Sequence, residues 1–142
     1  MAVVEAVCKS EKVGTAKNIV NEGFFKKGHG LVGDAHAGSK REVSLLALES
    51  INKMRKKISN LKYGDFGENI TTKGICLYKL EIGTKLKIGN VKLRITQIGK
   101  KCHDKCEIYR RVGKCIMPDE GVFAAVLESG IIKQGSEIKV IE

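Results

Sequence analysis

Tryptophan is absent from this sequence, proline occurs once, and aromatic residues make up 5% of it. Turns therefore depend on glycine, of which there are sixteen. No stretch approaches the roughly 18 apolar residues a membrane-spanning helix needs. The N-terminus has no basic flank, apolar core and small-residue cleavage site of a secretory signal, so a cytoplasmic location is expected. Acidic residues are also in short supply, 16 against 26 lysines and arginines, for a formal charge of +10. That excess favours anionic partners, whether nucleic acid, a phosphorylated small molecule or an acidic protein. The lysines are spread from Lys9 to Lys139 and the aromatics are scattered. A nucleic-acid surface would cluster them, so nucleic acid is the weakest candidate, and a solvated basic surface is an equally good account of the charge.

The 142 residues fit one domain with its own core, at 42% hydrophobic composition. The five cysteines, Cys8, Cys76, Cys102, Cys106 and Cys115, are odd in number and follow no export signal. They read as thiols rather than bridges. Cys8 and Cys76 fall in strand-like runs and are expected to be buried and inert.

Short β-branched runs dominate. Strands are expected at Ala2–Cys8, Asn69–Thr72, Thr84–Ile88, Val91–Ile98 and Ser136–Ile141. Gly89-Asn90 reads as a tight hairpin turn. Residues Val43 to Ile58 place Leu45, Leu46, Leu48, Ile51, Met54 and Ile58 at helical spacings with a basic last turn. A second helix is expected from Asp119 to Leu127, with Asp119 as cap and Gly130 beyond its end. The sum is a mixed α/β, strand-rich chain, a single domain over residues 1–142 built on a closed or nearly closed β-barrel with a few peripheral helices.

Three segments carry chemistry. Gly28-His29-Gly30-Leu31-Val32-Gly33-Asp34-Ala35-His36-Ala37-Gly38, followed by Lys40 and Arg41, lets backbone N–H groups approach an anion while His36, Lys40 and Arg41 supply charge. It matches neither a P-loop nor a dinucleotide fingerprint, and a connection with a structural Asp is the simpler alternative. Gly64-Asp65-Phe66-Gly67-Glu68-Asn69 places acids and an amide ahead of a strand. Asn69 can donate to and accept from a heterocycle edge, or bond its own turn. Cys102-His103-Asp104-Lys105-Cys106, with Lys100 and Lys101 before it and Cys115 after, favours a thiolate. That thiolate can serve as nucleophile, sulfur carrier or metal ligand. Zinc held by Cys102, His103, Cys106 and Cys115 is a weaker alternative, because adjacent Cys-His ligation is strained.

Taken in order, Gly-Leu-Val-Gly-Asp-Ala-His-Ala-Gly, Val43-Ser44-Leu45-Leu46, Gly67-Glu68-Asn69-Ile70-Thr71-Thr72, a cysteine after a strand, and Gly121-Val122-Phe123-Ala124-Ala125-Val126-Leu127 resemble the MOSC domain, named for the C-terminal part of molybdenum cofactor sulfurases. The likeness runs from about Ala2 to Ile141 and is to the short stand-alone bacterial type. It implies a barrel that binds the molybdenum cofactor (molybdopterin) or handles its sulfur. Gly33, Asp34 and His36 match the family's Gly-Asp-x-His signature, and Gly67, Glu68 and Asn69 its Gly-Glu-Asn signature. Arg41 matches a frequent basic position. Cys102 matches the functional cysteine, as persulfide carrier or molybdenum ligand, although Lys101 replaces the proline that often precedes it. Cys106 and Cys115 are extra to the pattern.

By this resemblance Gly33, Asp34, His36 and Arg41 would form the anion end and Glu68 and Asn69 would orient the pterin. The chain lacks a pyridoxal phosphate lysine motif, so sulfur would come from a partner cysteine desulfurase and pass toward a molybdoenzyme. Sulfur transfer competes with two alternatives, a non-catalytic cofactor carrier and an auxiliary component of a reductase acting on N-hydroxylated compounds.

Overall fold

The structure is a computed structural model, and it describes residues 2–12, 16–56, 60–99 and 120–141. Eleven strands and one α-helix are formed among these residues: β1 (Ala2–Lys9), β2 (Asn18–Val20), β3 (Glu22–Lys26), β4 (Gly30–Leu31), β5 (Val43–Ala47), α1 (Leu48–Arg55), β6 (Ile70–Lys73), β7 (Lys85–Ile88), β8 (Val91–Ile98), β9 (Val122–Glu128), β10 (Gly130–Lys133) and β11 (Glu137–Ile141). The main sheet runs β11-β7-β8-β9-β5-β6-β1-β2, and β11 also pairs with β1, which closes seven strands into a barrel with β2 attached outside the ring. Strands β10, β3 and β4 form a smaller sheet. β5 and β6 are parallel and the other pairs antiparallel, so the barrel is mixed.

Alternation decides which side chains fill the barrel. Val43 and Leu45 of β5, Ile70 of β6, Leu93 and Ile95 of β8, and Val122, Ala124 and Val126 of β9 point inward into one core. The intervening Leu46 and Phe123 point outward, where α1 and the segment around residues 60–67 cover them with Ile51, Met54, Leu61 and Phe66. The Gly89-Asn90 hairpin forms between β7 and β8 as expected, with Gly89 at φ 59°.

Two helix expectations are corrected. Val43–Ala47 is a strand, and the helix starts only at Leu48 and ends at Arg55. The whole strand is buried, because core packs on its inner face and α1 with its neighbours on its outer face. A strand covered on both sides reads as a continuous apolar run, which periodicity cannot separate from a helix. The same reason makes Val122–Glu128 a strand rather than the second helix expected from Asp119 to Leu127. Cys8 is buried in β1, but Cys76 is exposed, just ahead of a 3₁₀ turn at Leu77–Lys79. No described helix is long and apolar enough to cross a membrane.

Candidate functional site

Strand directions give the barrel two ends. At one end β1 finishes at Lys9, with Cys8 opposite Ile19 of β2, while β6 begins at Ile70 and β5 at Val43. At the other end β5 finishes at Ala47 beside Thr72, and β8 finishes at Ile98 beside Val122. There the Gly99 N–H donates to the Gly121 carbonyl at 2.6 Å.

The glycine-rich segment reaches the first end. Asp34 is sealed from solvent, and its Oδ1 accepts from the Lys17 ammonium at 2.7 Å and from the Ser10 N–H at 3.0 Å. Oδ2 accepts from the His36 N–H at 3.1 Å. Burial pushes the Asp34 carboxyl upward, but these donors, Lys17 first, outweigh it and hold the group below its ordinary value. The Lys17 ammonium also lies 3.2 Å from His36 Nδ1 and 3.4 Å from Ser10 Oγ. Lys17 is the functional-looking residue that the sequence does not single out: nothing local marks one lysine among the 26 basic residues as buried.

Beside this pair lies a cavity of about 410 Å³ lined by Lys9, Ser10, Lys12, Asn18 and Gly33, with Glu11, Ala16 and Val20 on its walls. Gly33 has φ 88°, and the Lys9 Nζ lies 3.4 Å from the position a Cβ would take there. The glycine keeps the backbone conformation accessible and leaves the lysine head room. Lys9 makes no ion pair with any described residue. Arg41 stands apart, its guanidinium 5.4 Å from the Phe123 ring centroid and its Nε 3.4 Å from Gln97 Oε1, two residues before Gly99.

Glu68 and Asn69 are wholly buried. Glu68 Oε2 accepts from the Gly64 N–H at 2.9 Å and the Thr71 hydroxyl at 3.2 Å, and Oε1 accepts from the Phe66 N–H at 3.2 Å. Desolvation by burial pushes its carboxyl up to about 7, against the lowering effect of those donors. Asn69 Oδ1 accepts from the Ser44 N–H at 2.9 Å, and its Nδ2 donates to the Cys8 carbonyl at 3.2 Å. One side chain thus ties β5 and β1 to the start of the β6 strand between them. Gly67, at φ 80°, presents its carbonyl to the Ser44 hydroxyl at 3.1 Å. Gly64 packs against the Lys17 carbonyl and Cys8 Sγ, so the loop closed by Glu68 buttresses the chain that carries Lys17. Burial, then the Glu68 carboxylate, pushes the Cys8 thiol up to about 12.

The structure therefore gathers Gly33, Asp34 and His36 with Lys17, Lys9 and Ser10 at one end. It sets Gly67, Glu68 and Asn69 into the barrel wall beside them and holds Arg41 near Gln97. Cys102, His103, Cys106 and Cys115, with the zinc alternative, lie outside the described residues. Among the described residues no group of three His, Cys, Asp or Glu side chains is arranged to hold a metal.

Comparison with known proteins agrees with this architecture. The chain superposes on the YUAD protein from Bacillus subtilis with a TM-score of 0.78 at 17% identity, covering 99% of this chain and 96% of that one. YiiM from Geobacillus stearothermophilus gives 0.69 at 16% identity, covering 99% of this chain and 73% of that one. YiiM from Escherichia coli gives 0.70 at 16% identity, covering 99% and 70%. At these identities the likeness establishes the fold. No curated protein matches significantly. The MOSC domain signature matches residues 32–139, from the glycine-rich segment through the last barrel strand, and the chain belongs to the MOSC domain family.

Proposed function

We propose that this chain binds a phosphorylated molybdenum–pterin cofactor and handles sulfur for it through Cys102. The carrying observation is the cavity of about 410 Å³ between Lys9, Ser10, Asn18 and Gly33. A phosphate needs a cation and several donors in a recess that backbone can approach closely. Lys9 supplies an uncommitted ammonium, the Asn18 side chain supplies an amide donor, and Gly33 supplies the close approach. Asp34 does not repel an anion there, because Lys17 neutralises it at 2.7 Å. His36, a quarter exposed, adds a further polar group on the same side.

Glu68 and Asn69 serve this site from behind. Their polar atoms are occupied within the barrel wall, so they act as positioning residues that fix the 64–68 loop and the seam between β5, β6 and β1. Gly67, buried with its carbonyl on the Ser44 hydroxyl and its N–H on the Gly64 carbonyl, shares that positioning role, and Arg41 across from Gln97 is the nearer candidate for contact with the rest of the group. When bound, the cofactor would supply a redox-active metal centre. The Cys102 thiolate takes the sulfane sulfur of a partner desulfurase's persulfide, the partner's thiolate leaving, or it ligates the metal directly.

Equilibrium dialysis of isolated cofactor against the protein and its Lys9→Ala and Lys139→Ala variants tests the phosphate end. Lys9→Ala weakens binding by about tenfold, the loss of one charge-assisted contact, while the remote Lys139→Ala does not. Equal affinities for all three overturn the assignment. Cys102→Ser separates sulfur transfer from a carrier role: a transferase retains binding and loses the mass gain of one sulfur after incubation with desulfurase and cysteine.

A further inference from the structure

Strand register brings together lysines that the sequence keeps apart. Along β7, Leu86 and Ile88 are buried while Lys85 and Lys87 are exposed. On one side Lys87 lies opposite Lys139 of β11. On the other, Lys87 lies opposite Lys92 of β8 and Lys85 opposite Arg94. Five cations drawn from positions 85 to 139 therefore share the outer face of three neighbouring strands, whose inner face packs Leu86, Ile88, Val91, Leu93 and Ile138 into the barrel core. None of these cations lines the cavity at Lys9.

Stability of the sheet does not account for this arrangement, because like charges directly opposite one another work against strand pairing. Lys85, Lys87 and Arg94 form no ion pair with any described residue. The ion pairs that do form lie at the margins. Lys139 pairs with Glu137 of its own strand at 3.0 Å, and Lys92 pairs with Glu128 of β9 at 3.4 Å. The result is a short basic patch with a carboxylate at each outer strand.

Those margins discriminate among anionic partners. A nucleic-acid backbone or an anionic bilayer presents an unbroken run of negative charge, which meets Glu128 and Glu137 as well as the cations. No aromatic residue occurs in β7, β8 or β11 to stack on a base. A second copy of the chain carries the same charge of +10 and repels the first. A short carboxylate-bearing peptide fits. Extended backbone places alternate side chains on one face roughly 6.6–6.8 Å apart. Lys85 and Lys87, like Lys92 and Arg94, are themselves alternate residues of a strand and share that spacing.

We propose that the outer face of β7 and β8, flanked by Lys139, is a docking surface for an acidic segment of a partner protein. Carboxylates at alternate positions of that segment pair with Lys85, Lys87, Lys92 and Arg94. The centre of the patch offers charge and no apolar anchor, so the association is fast, salt-sensitive and short-lived rather than permanent.

The probe is a short synthetic peptide alternating Glu and Ser, with binding followed by backbone amide chemical shifts and by fluorescence anisotropy at physiological salt. The largest shifts fall in β7 and β8. The variant Lys85→Gln/Lys87→Gln/Arg94→Gln weakens binding by about tenfold, the loss of three exposed ion pairs. The variant Lys26→Gln/Lys56→Gln/Lys62→Gln removes three exposed lysines elsewhere and changes affinity by less than about twofold, because salt screens charges more than about 8 Å apart. Equal losses in the two triple variants mean that the peptide reads net charge alone and overturn the proposal. Duplex DNA and phosphatidylserine vesicles are titrated at equal concentration of charge. Tighter binding of either than of the peptide, abolished by the Lys85/Lys87/Arg94 substitutions, also overturns it and assigns the face to nucleic acid or to membrane.

Discussion

Asp34→Asn removes the charge that compensates a lysine ammonium 1% exposed to solvent. The asparagine keeps one acceptor for Lys17 or Ser10, but turns an amide N–H₂ toward the His36 N–H, itself a donor, which now bonds Oδ2 at 3.1 Å. Breaking a buried pair by neutralising one member costs about 3–5 kcal/mol, because the remaining charge stays desolvated. For a domain of this length that is a fall in Tm of roughly 8–15 °C. Lys17→Met leaves the carboxylate with two backbone donors and costs somewhat less, on the order of 2–4 kcal/mol. The double variant Lys17→Met/Asp34→Asn removes both charges, so its loss falls short of the sum of the single losses by at least about 2 kcal/mol. Urea denaturation of all four proteins at neutral pH reads the cycle. Losses under about 1 kcal/mol that simply add would refute the reasoning, since they would mean that water screens the pair.

Other consequences follow from the same geometry. Because the Glu68 carboxyl is raised from 4.5 to about 7, its contribution to stability is fully present below pH 4.5 and is lost as pH rises through about 7. The stability advantage of the parent protein over Glu68→Gln therefore shrinks across that window by on the order of 3 kcal/mol, and denaturation curves that differ by a constant amount contradict it. Gly64→Ala combines a φ of 89° with a clash on the Lys17 carbonyl and costs about 2–4 kcal/mol, whereas Gly83→Ala, at φ 96° in open space, costs about 1 kcal/mol. Equal losses in thermal melts would show that the packing of Gly64 on Lys17 is unimportant. Iodoacetamide labels Cys76 in the native protein and spares Cys8, whose thiol is buried and pushed up to about 12, until denaturant is added.

The barrel was largely visible in the residues because its single-sided strands alternate. Lys85–Ile88 and Val91–Ile98 show the pattern directly, and Gly89-Asn90 marks the turn between them. Val43–Ala47 and Val122–Glu128 were not legible as strands, since Leu46 and Phe123 are buried on the outside of the barrel as well as their neighbours on the inside. The short strands β2, β3, β4 and β10 carry no distinct local pattern and exist through pairing with longer partners. In the site, Gly33, Asp34, His36, Glu68 and Asn69 stood out by residue type and order. Their partners did not: Lys17 reaches Asp34 across seventeen positions, and Ser44 reaches Asn69 across twenty-five. Such contacts depend on the closed barrel, which no local window contains.

Cofactor content of the protein purified from a cofactor-producing host tests the central claim most directly. Acid–iodine oxidation followed by fluorescence detection measures the released pterin, with Lys9→Ala and Cys102→Ala prepared in parallel. The account predicts stoichiometric pterin in the parent protein and a marked fall in Lys9→Ala. Absence of pterin, both as purified and after addition of free cofactor, would contradict it.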